Sequence, residues 1–285
     1  MAEKIAVVGA GTMGSGIAQI AVEAGFTVTL VDTEQAFVDR GTKNIKNFLE
    51  RKVAKGTYTQ EQLKSMEDRL SGTTDMKKAV EGASMVVEAV FENIDLKKDI
   101  FKKLDGLCPK EVILASNTST LSISTIAAVT KNPSRVIGTH YFSPVPLMRL
   151  VEVIRGRDTS DTTANKTVEL CKKFGKTPIV VKDIPGFIVN RFLCLIYNEA
   201  ANMILNGSAS AEDIDMAMRL GCNWPMGITE IMDMAGVDVC AFATEAMHQM
   251  TGEERYKPSP LFAQMLAAKK LGRKTGEGFY KYGNK

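Results

Sequence analysis

Histidine is the scarcest reactive residue in this chain: two in 285 residues, His140 and His248. A metal centre built on several imidazoles is thereby excluded, and any imidazole acid–base chemistry falls to one of these two. The five cysteines, Cys108, Cys171, Cys194, Cys222 and Cys240, are odd in number and form no C-x-x-C pair. That fits free thiols buried as small apolar residues in a reducing compartment, not a disulfide framework. No apolar run approaches the roughly 18–20 residues of a membrane-spanning helix, so no membrane partner is expected. An excess of one charge is missing too. The 36 basic and 33 acidic residues leave +3, whereas a general nucleic-acid binder carries a basic stripe. At 45% hydrophobic the chain is not disordered. An apolar strand pattern begins at Lys4, with neither a secretory signal nor an Arg/Ser-rich transit segment before it, so a cytoplasmic location is expected.

What is present alternates. Residues 4–9 read as an apolar strand, Met13–Ala24 as a helix closed by Gly25, and Thr27–Val31 as a β-branched strand. Strand–helix–strand in about thirty residues is the spacing of a parallel crossover unit. The stretch Gln35–Leu70 is helical and rich in Lys and Arg, and Gly56 and Thr57 break it into an inserted helical hairpin. Strand patterns return at Ser84–Ala89, Val112–Ser116, Val136–Tyr141, Leu150–Ile154 and Pro178–Val181, with helices at Asp95–Cys108, Ile123–Val129 and Ser160–Phe174. This predicts an α/β, Rossmann-like doubly wound sheet with an antiparallel edge at its late strands. Asp183-Ile184-Pro185-Gly186 marks a boundary, after which only helical patterns follow: Ile188–Leu205, Ala211–Leu220, Ile228–Met250 with an interruption at Gly236, and Pro260–Leu271. The expected domains are 1–184, α/β, and 185–285, all-helical.

Gly9-Ala10-Gly11-Thr12-Met13-Gly14 is a G-x-G-x-x-G between a strand and a helix, and Asp32 ends the next strand. That context is the dinucleotide-binding fingerprint. Gly9 permits the tight turn, Gly11 lets backbone approach a pyrophosphate, and Gly14 lets the helix pack on the strand. The helix N-terminus, from Thr12 and Met13 onward, offers N–H groups and a positive dipole end. Asp32 would accept from a ribose and repel a 2′-phosphate, and Thr33, Glu34 and Gln35 supply no cation to receive one, so NAD is favoured over NADP and FAD ranks below it.

His140 ends a strand, where ligands bind in open α/β sheets. After the turn-forming Ser143-Pro144-Val145-Pro146, a tight return would bring Glu152 beside it, to orient the imidazole and stabilise its protonated form. The polar run Ser116-Asn117-Thr118-Ser119-Thr120 also follows a strand; it reads equally as ligand contact or as a helix cap through Ser122 or Ser124. Asn190 opens the first helix after the boundary. His248, among Met247 and Met250 on a helix, has no such setting and reads as structural or surface.

Together these residues resemble the L-3-hydroxyacyl-CoA dehydrogenases over nearly the whole chain, most nearly the bacterial 3-hydroxybutyryl-CoA dehydrogenases. The resemblance is carried by VGAGTMGSGIAQ around Gly9–Gly14, by Glu88-Ala89-Val90-Phe91-Glu92, and by ASNTSTL at Ala115–Leu121. It continues in HYFSPVPLMRLVEV from His140 to Val153, PGFIVNR from Pro185 and GRKTGEGFY from Gly272. It implies NAD(H)-linked interconversion of a short-chain (S)-3-hydroxyacyl-CoA and a 3-oxoacyl-CoA. His140 is then the general acid/base, Glu152 its electrostatic partner, and Ser119 and Asn190 the groups on the reacting oxygen. Asp32, Glu92, Lys97, Asn117 and Ser119 fall where the family contacts NAD, and the basic hairpin would set Arg51 and Lys55 near the CoA phosphates, although a solvated helix face is the plainer reading of any one lysine there. By the same resemblance the helical domain completes the substrate cleft and forms a homodimer. Two segments depart from the family pattern. Ser143 stands where an asparagine helps hold the nicotinamide, and Asn223-Trp224-Pro225-Met226-Gly227-Ile228 replaces N-H-P-M-G-P. These bear on cofactor fit and acyl-chain preference more than on reaction type. Two other readings stay open: a dehydrogenase of a small hydroxy or sugar acid without CoA, and a non-catalytic protein that kept the fold.

Overall fold

The periodicity of the first thirty residues is realised as β1 (Lys4–Val8), α1 (Thr12–Glu23) and β2 (Thr27–Val31). A computed structural model describes residues 3–283; the outermost residues of both predicted domains, 1–2 and 284–285, lie outside the described residues. β1 and β2 pair in parallel, Lys4 opposite Thr27 through Val8 opposite Val31. Strands covered on both faces are apolar nearly throughout, which is why KIAVV and TVTLV do not alternate. Ile17, Ile20 and Ala21 of α1 are buried against this sheet with Val7, Val28 and Leu30. Each fully buried Ile or Leu contributes about 1.5–3 kcal/mol relative to exposure.

The inserted stretch forms α2 (Gln35–Ala54) and α3 (Gln60–Asp68), broken at Gly56 (φ +72). Its last predicted residue departs from expectation: Leu70 begins β3 (Leu70–Thr73), a four-residue strand that pairs with β2, followed by the short α4 (Met76–Val80). LSGT carries one large apolar residue and a glycine, too little for a strand signal. The glycine is required, because a Cβ on Gly72 would lie 2.3 Å from Val38 Cγ1 of α2. Then follow β4 (Ala83–Glu88), α5 (Ile94–Leu107), β5 (Ile113–Ser116), α6 (Ile123–Ala127), β6 (Val136–Tyr141), β7 (Leu150–Arg155), α7 (Asp161–Lys173) and β8 (Thr177–Lys182).

The eight strands lie in the order β3-β2-β1-β4-β5-β6-β7-β8. The sheet is parallel from β3 to β6; β7 then runs antiparallel to β6, and β8 is parallel to β7. The antiparallel register sets His140 opposite Glu152. The chain's order reverses at β1 and β4, the switch point beside which such sheets bind ligands.

The described residues divide into two compact units between Ile184 and Pro185. The second unit holds α8 (Val189–Leu205), α9 (Ala211–Cys222), α10 (Ile228–Ala235), α11 (Val237–Thr251) and α12 (Pro260–Ala267). Its core gathers Tyr197, Ala201, Met232, Val237 and Phe262. α12 stops short of the expected Leu271, because Lys269 takes a left-handed φ of +57. Two buried carboxylates fasten the C-terminal segment to this core. Asp233 accepts from the Phe279 and Tyr280 N–H groups, each at 3.0 Å, and from the Tyr282 hydroxyl at 3.0 Å. Asp215 accepts from the Tyr280 hydroxyl at 2.8 Å and the Thr229 N–H at 2.8 Å. Burial pushes the Tyr280 hydroxyl up to about 12, so it remains a donor.

Candidate active site

The glycine loop leaves β1 through Gly9, whose φ of +105 favours glycine and whose N–H donates to the Val31 carbonyl at 2.8 Å. A Cβ on Gly14 would lie 1.8 Å from the Gly9 carbonyl oxygen, so α1 can start this close to the loop only with glycine there. A Cβ on Gly11 would meet nothing within 4 Å: that side of the loop is open. Thr12 and Met13 are the first two residues of α1. Asp32 closes the turn from the other strand, accepting from the Ala10 N–H at 2.7 Å and from the Thr33 N–H at 2.7 Å. A cavity of about 520 Å³ opens here, lined among others by Gly9, Gly11, Thr12, Met13 and Asp32. Glycine backbone, a helix N-terminus and a ribose-height carboxylate around one cavity fit a dinucleotide. A second cleft, of about 530 Å³, lies by the opposite strand ends at Ala83 and Ile113 and contains none of the predicted site residues.

Beyond β4 the loops are braced by a buried ion pair. Lys97 Nζ lies 2.6 Å from Glu88 Oε1 and 3.4 Å from Glu92 Oε2, with both Lys97 and Glu88 fully buried. Glu88 also accepts from the Ser116 hydroxyl at 2.6 Å. Glu92 accepts from the Thr118 hydroxyl at 2.5 Å and from the Ser119 and Thr120 N–H groups at 2.8 and 3.1 Å. The polar run is therefore shaped by Glu92, a role that spacing alone did not reveal; Glu92 and the run are 27 residues apart at Ser119. Asn117 Oδ1 accepts from the Tyr141 N–H at 3.0 Å and so ties the same loop to the strand carrying His140. The helix-cap alternative is also realised, one step on: Ser122 caps α6 through the Thr125 N–H. Asp183, at the end of the first unit, accepts from the Ser122 hydroxyl and the Ile123 and Ser124 N–H groups at 2.8, 3.0 and 2.7 Å.

His140 and Glu152 meet across the antiparallel pair. His140 Nδ1 lies 2.7 Å from Glu152 Oε2, both side chains being buried. A carboxylate has no proton to give, so Nδ1–H is the donor in this contact. The Phe142 ring lies 4.4 Å from the imidazole. Ser143 follows on the exposed connection, and Val145 beyond it is buried where a Cβ on Gly16 would come within 2.8 Å of it. Lys176, itself nearly buried, holds this connection by donating to the Val145 and Met148 carbonyls, the latter at 2.8 Å; sequence reading missed it.

The remaining predicted residues lie on other elements. Arg51, in the last turn of α2, and Lys55, its C-cap, are exposed. Their neighbour Lys52 pairs instead with Glu23 of α1 at 2.6 Å. Asn190 is the second residue of α8, in the other unit. His248 lies near the end of α11. Four cysteines are buried and Cys222 is exposed, against the expectation that all are buried. Burial pushes Cys171 and Cys240 up to about 12 and Cys108 and Cys194 up to about 11, which makes them inert thiols. Among the described residues no group of His, Cys, Asp and Glu could hold a metal ion.

Residues 4–184 match the family model of the 3-hydroxyacyl-CoA dehydrogenase NAD binding domain, and residues 186–282 that of the 3-hydroxyacyl-CoA dehydrogenase C-terminal domain. A probable 3-hydroxybutyryl-CoA dehydrogenase of Bacillus subtilis is 46% identical over 99% of this chain and 98% of its own. The mitochondrial hydroxyacyl-coenzyme A dehydrogenase of Homo sapiens is 43% identical over 98% of this chain and 90% of its own. The crystal structure of an (S)-3-hydroxybutyryl-CoA dehydrogenase from Ralstonia eutropha superposes with a TM-score of 0.96 at 43% identity, covering both chains fully. The chain belongs to the 3-hydroxyacyl-CoA dehydrogenase family, oxidoreductases with NAD as cofactor.

Proposed function

We propose that the protein interconverts (S)-3-hydroxybutyryl-CoA and acetoacetyl-CoA, with His140 as general acid/base. The carrying observation is the 2.7 Å contact between His140 Nδ1 and Glu152 Oε2 at a strand's carboxyl end. The bound nicotinamide supplies hydride transfer at C3 of the substrate. In oxidation, His140 Nε2 accepts the proton of the C3 hydroxyl; in reduction it returns that proton to the C3 oxygen. Glu152 fixes the ring and balances the imidazolium as it forms. Ser119 and Asn190 stabilise charge gathering on the C3 oxygen. Glu92, Lys97 and Asn117 contribute on the cofactor side by holding the loop that presents Ser119, and Ser143, on the connection after β6, meets the nicotinamide. Asp32 takes the adenosine ribose, and Arg51 and Lys55 meet the CoA phosphates.

Turnover of NADH with acetoacetyl-CoA, and far less with free acetoacetate, is the expected result. Equal use of the free acid would overturn the CoA reading, and turnover with neither would overturn the activity. We also propose a cytoplasmic homodimer without nucleic-acid or membrane partners. Exposed Phe192, Leu220 and Phe242 on the helical unit supply apolar surface for a second copy. No helix among the described residues is long and apolar enough to cross a membrane. Light scattering at micromolar concentration should give twice the chain mass; a monomer would refute the dimer, and sedimentation with membranes the location.

A further inference from the structure

The residues immediately after Asp32 supply no cation, but the folded cavity does. Its described lining contains a single acidic side chain, Asp32, and two basic ones, Arg40 and Lys103. Arg40 reaches the cavity from α2, one helical turn beyond Phe37, which also lines it, and its guanidinium lies 5.1 Å from the Phe37 ring centroid. Lys103 arrives from α5. Neither cation takes part in an ion pair among the described residues. The 20-residue α2 begins next to Asp32, and its N-cap, Glu34, makes no side-chain capping bond; the first turn contains no acid. The other acids near this end of α2, the N-cap Glu34 and Asp39, which accepts from the Gln35 amide, do not line the cavity.

From this juxtaposition we infer that the adenosine end of the cofactor cavity already contains the cationic half of a 2′-phosphate site, built from Arg40 and Lys103, and that Asp32 is the group that turns a 2′-phosphate away. An arginine stacked on an aromatic ring keeps its N–H edge for phosphate oxygens, which suits Arg40 to the task better than a solvated lysine. Asp32 opposes it in two ways: by charge, and by filling the position with an acceptor that hydroxyls, not phosphates, can pair with. Asp32 is thus the one acid of the described cavity lining set against a 2′-phosphate there.

Asp32 also holds the loop through the Ala10 and Thr33 N–H groups, so the variant of choice is Asp32→Asn, which removes the charge and keeps an acceptor oxygen. Calorimetry with adenosine 2′,5′-bisphosphate and with 5′-AMP gives a readout independent of turnover. In Asp32→Asn the bisphosphate should gain about tenfold or more in affinity relative to AMP, a gain of about 1.4 kcal/mol. Adding Arg40→Gln should remove most of that gain, and the kcat/KM ratio of NADPH to NADH should follow the same order. The gain should shrink as salt is raised, since the new contacts are ionic. An unchanged bisphosphate affinity in Asp32→Asn, or a gain that survives Arg40→Gln, would overturn the inference. If Asp32→Asn does not fold, the wild-type background decides. There, Arg40→Gln combined with Lys103→Gln should weaken the bisphosphate more than AMP, and equal weakening of the two would refute the role of the pair. A wild-type protein that binds neither nucleotide would instead refute the assignment of the cavity to adenosine, and the inference with it.

Discussion

The two ends of the sheet make their sites in different ways. In the parallel half, around β1 and β2, the surface offered to a ligand is backbone: Gly9, Gly11 and the N-terminus of α1, with one carboxylate from the neighbouring strand. At the antiparallel corner, β6 and β7 put two side chains face to face, the pair to which we assign proton transfer. Parallel crossovers gather loops at one edge of the sheet, whereas an antiparallel return brings residues into register across a short connection. Binding suits the first arrangement, because phosphates need many N–H groups. Proton transfer suits the second, because it needs one acid–base group held at one angle.

That contrast can be broken by substitution. His140→Ala should lower kcat/KM by about 10²–10⁴-fold while NADH still binds, as followed by its fluorescence. Loss of NADH affinity together with turnover would mean that the two ends are not separable. Glu152→Gln should cost less, about 10²-fold, because the imidazole stays but loses its fixed angle and its counter-charge. A kcat within a few-fold of wild type would remove Glu152 from the mechanism. Gly14→Ala strikes the other end. The added Cβ would fall on the Gly9 carbonyl oxygen, so a stability loss of about 1–3 kcal/mol and a raised NADH KM are expected from thermal unfolding and steady-state kinetics. A wild-type Tm would show that the loop has room to shift. Smallest is Lys176→Met, which leaves the Val145 and Met148 carbonyls without their donor, at a cost of about 1 kcal/mol. It should raise KM for NADH a few-fold with kcat held, and Lys176→Arg should restore it; no KM change would reduce Lys176 to a stability role.

Legibility in the sequence followed the same divide. β1, α1 and β2 are local patterns with the glycines inside them, so both the elements and the loop could be read directly. His140 and Glu152 could be paired because a turn-forming segment separates two strand patterns. The bracing of Ser119 by Glu92 could not be read, since that contact joins loops after different strands and leaves no periodic trace. Arg40 was missed for a related reason. It lies beyond the residues adjacent to Asp32, and only the fold of α2 brings it to the cavity. β3 escaped because LSGT buries almost nothing.

The clasp of Asp215 and Asp233 on the C-terminal segment makes the two acids unequal. Asp233 accepts from Phe279, Tyr280 and Tyr282, which lie 46 to 49 residues along the chain. Asp215 is served nearer by, from the Thr229 N–H and hydroxyl and the Glu230 N–H, and takes only the Tyr280 hydroxyl from the segment. Peeling the segment away would therefore strand one buried carboxylate and leave the other supplied. The first element to feel it would be α10, which carries Asp233, while the α/β unit shares none of these bonds.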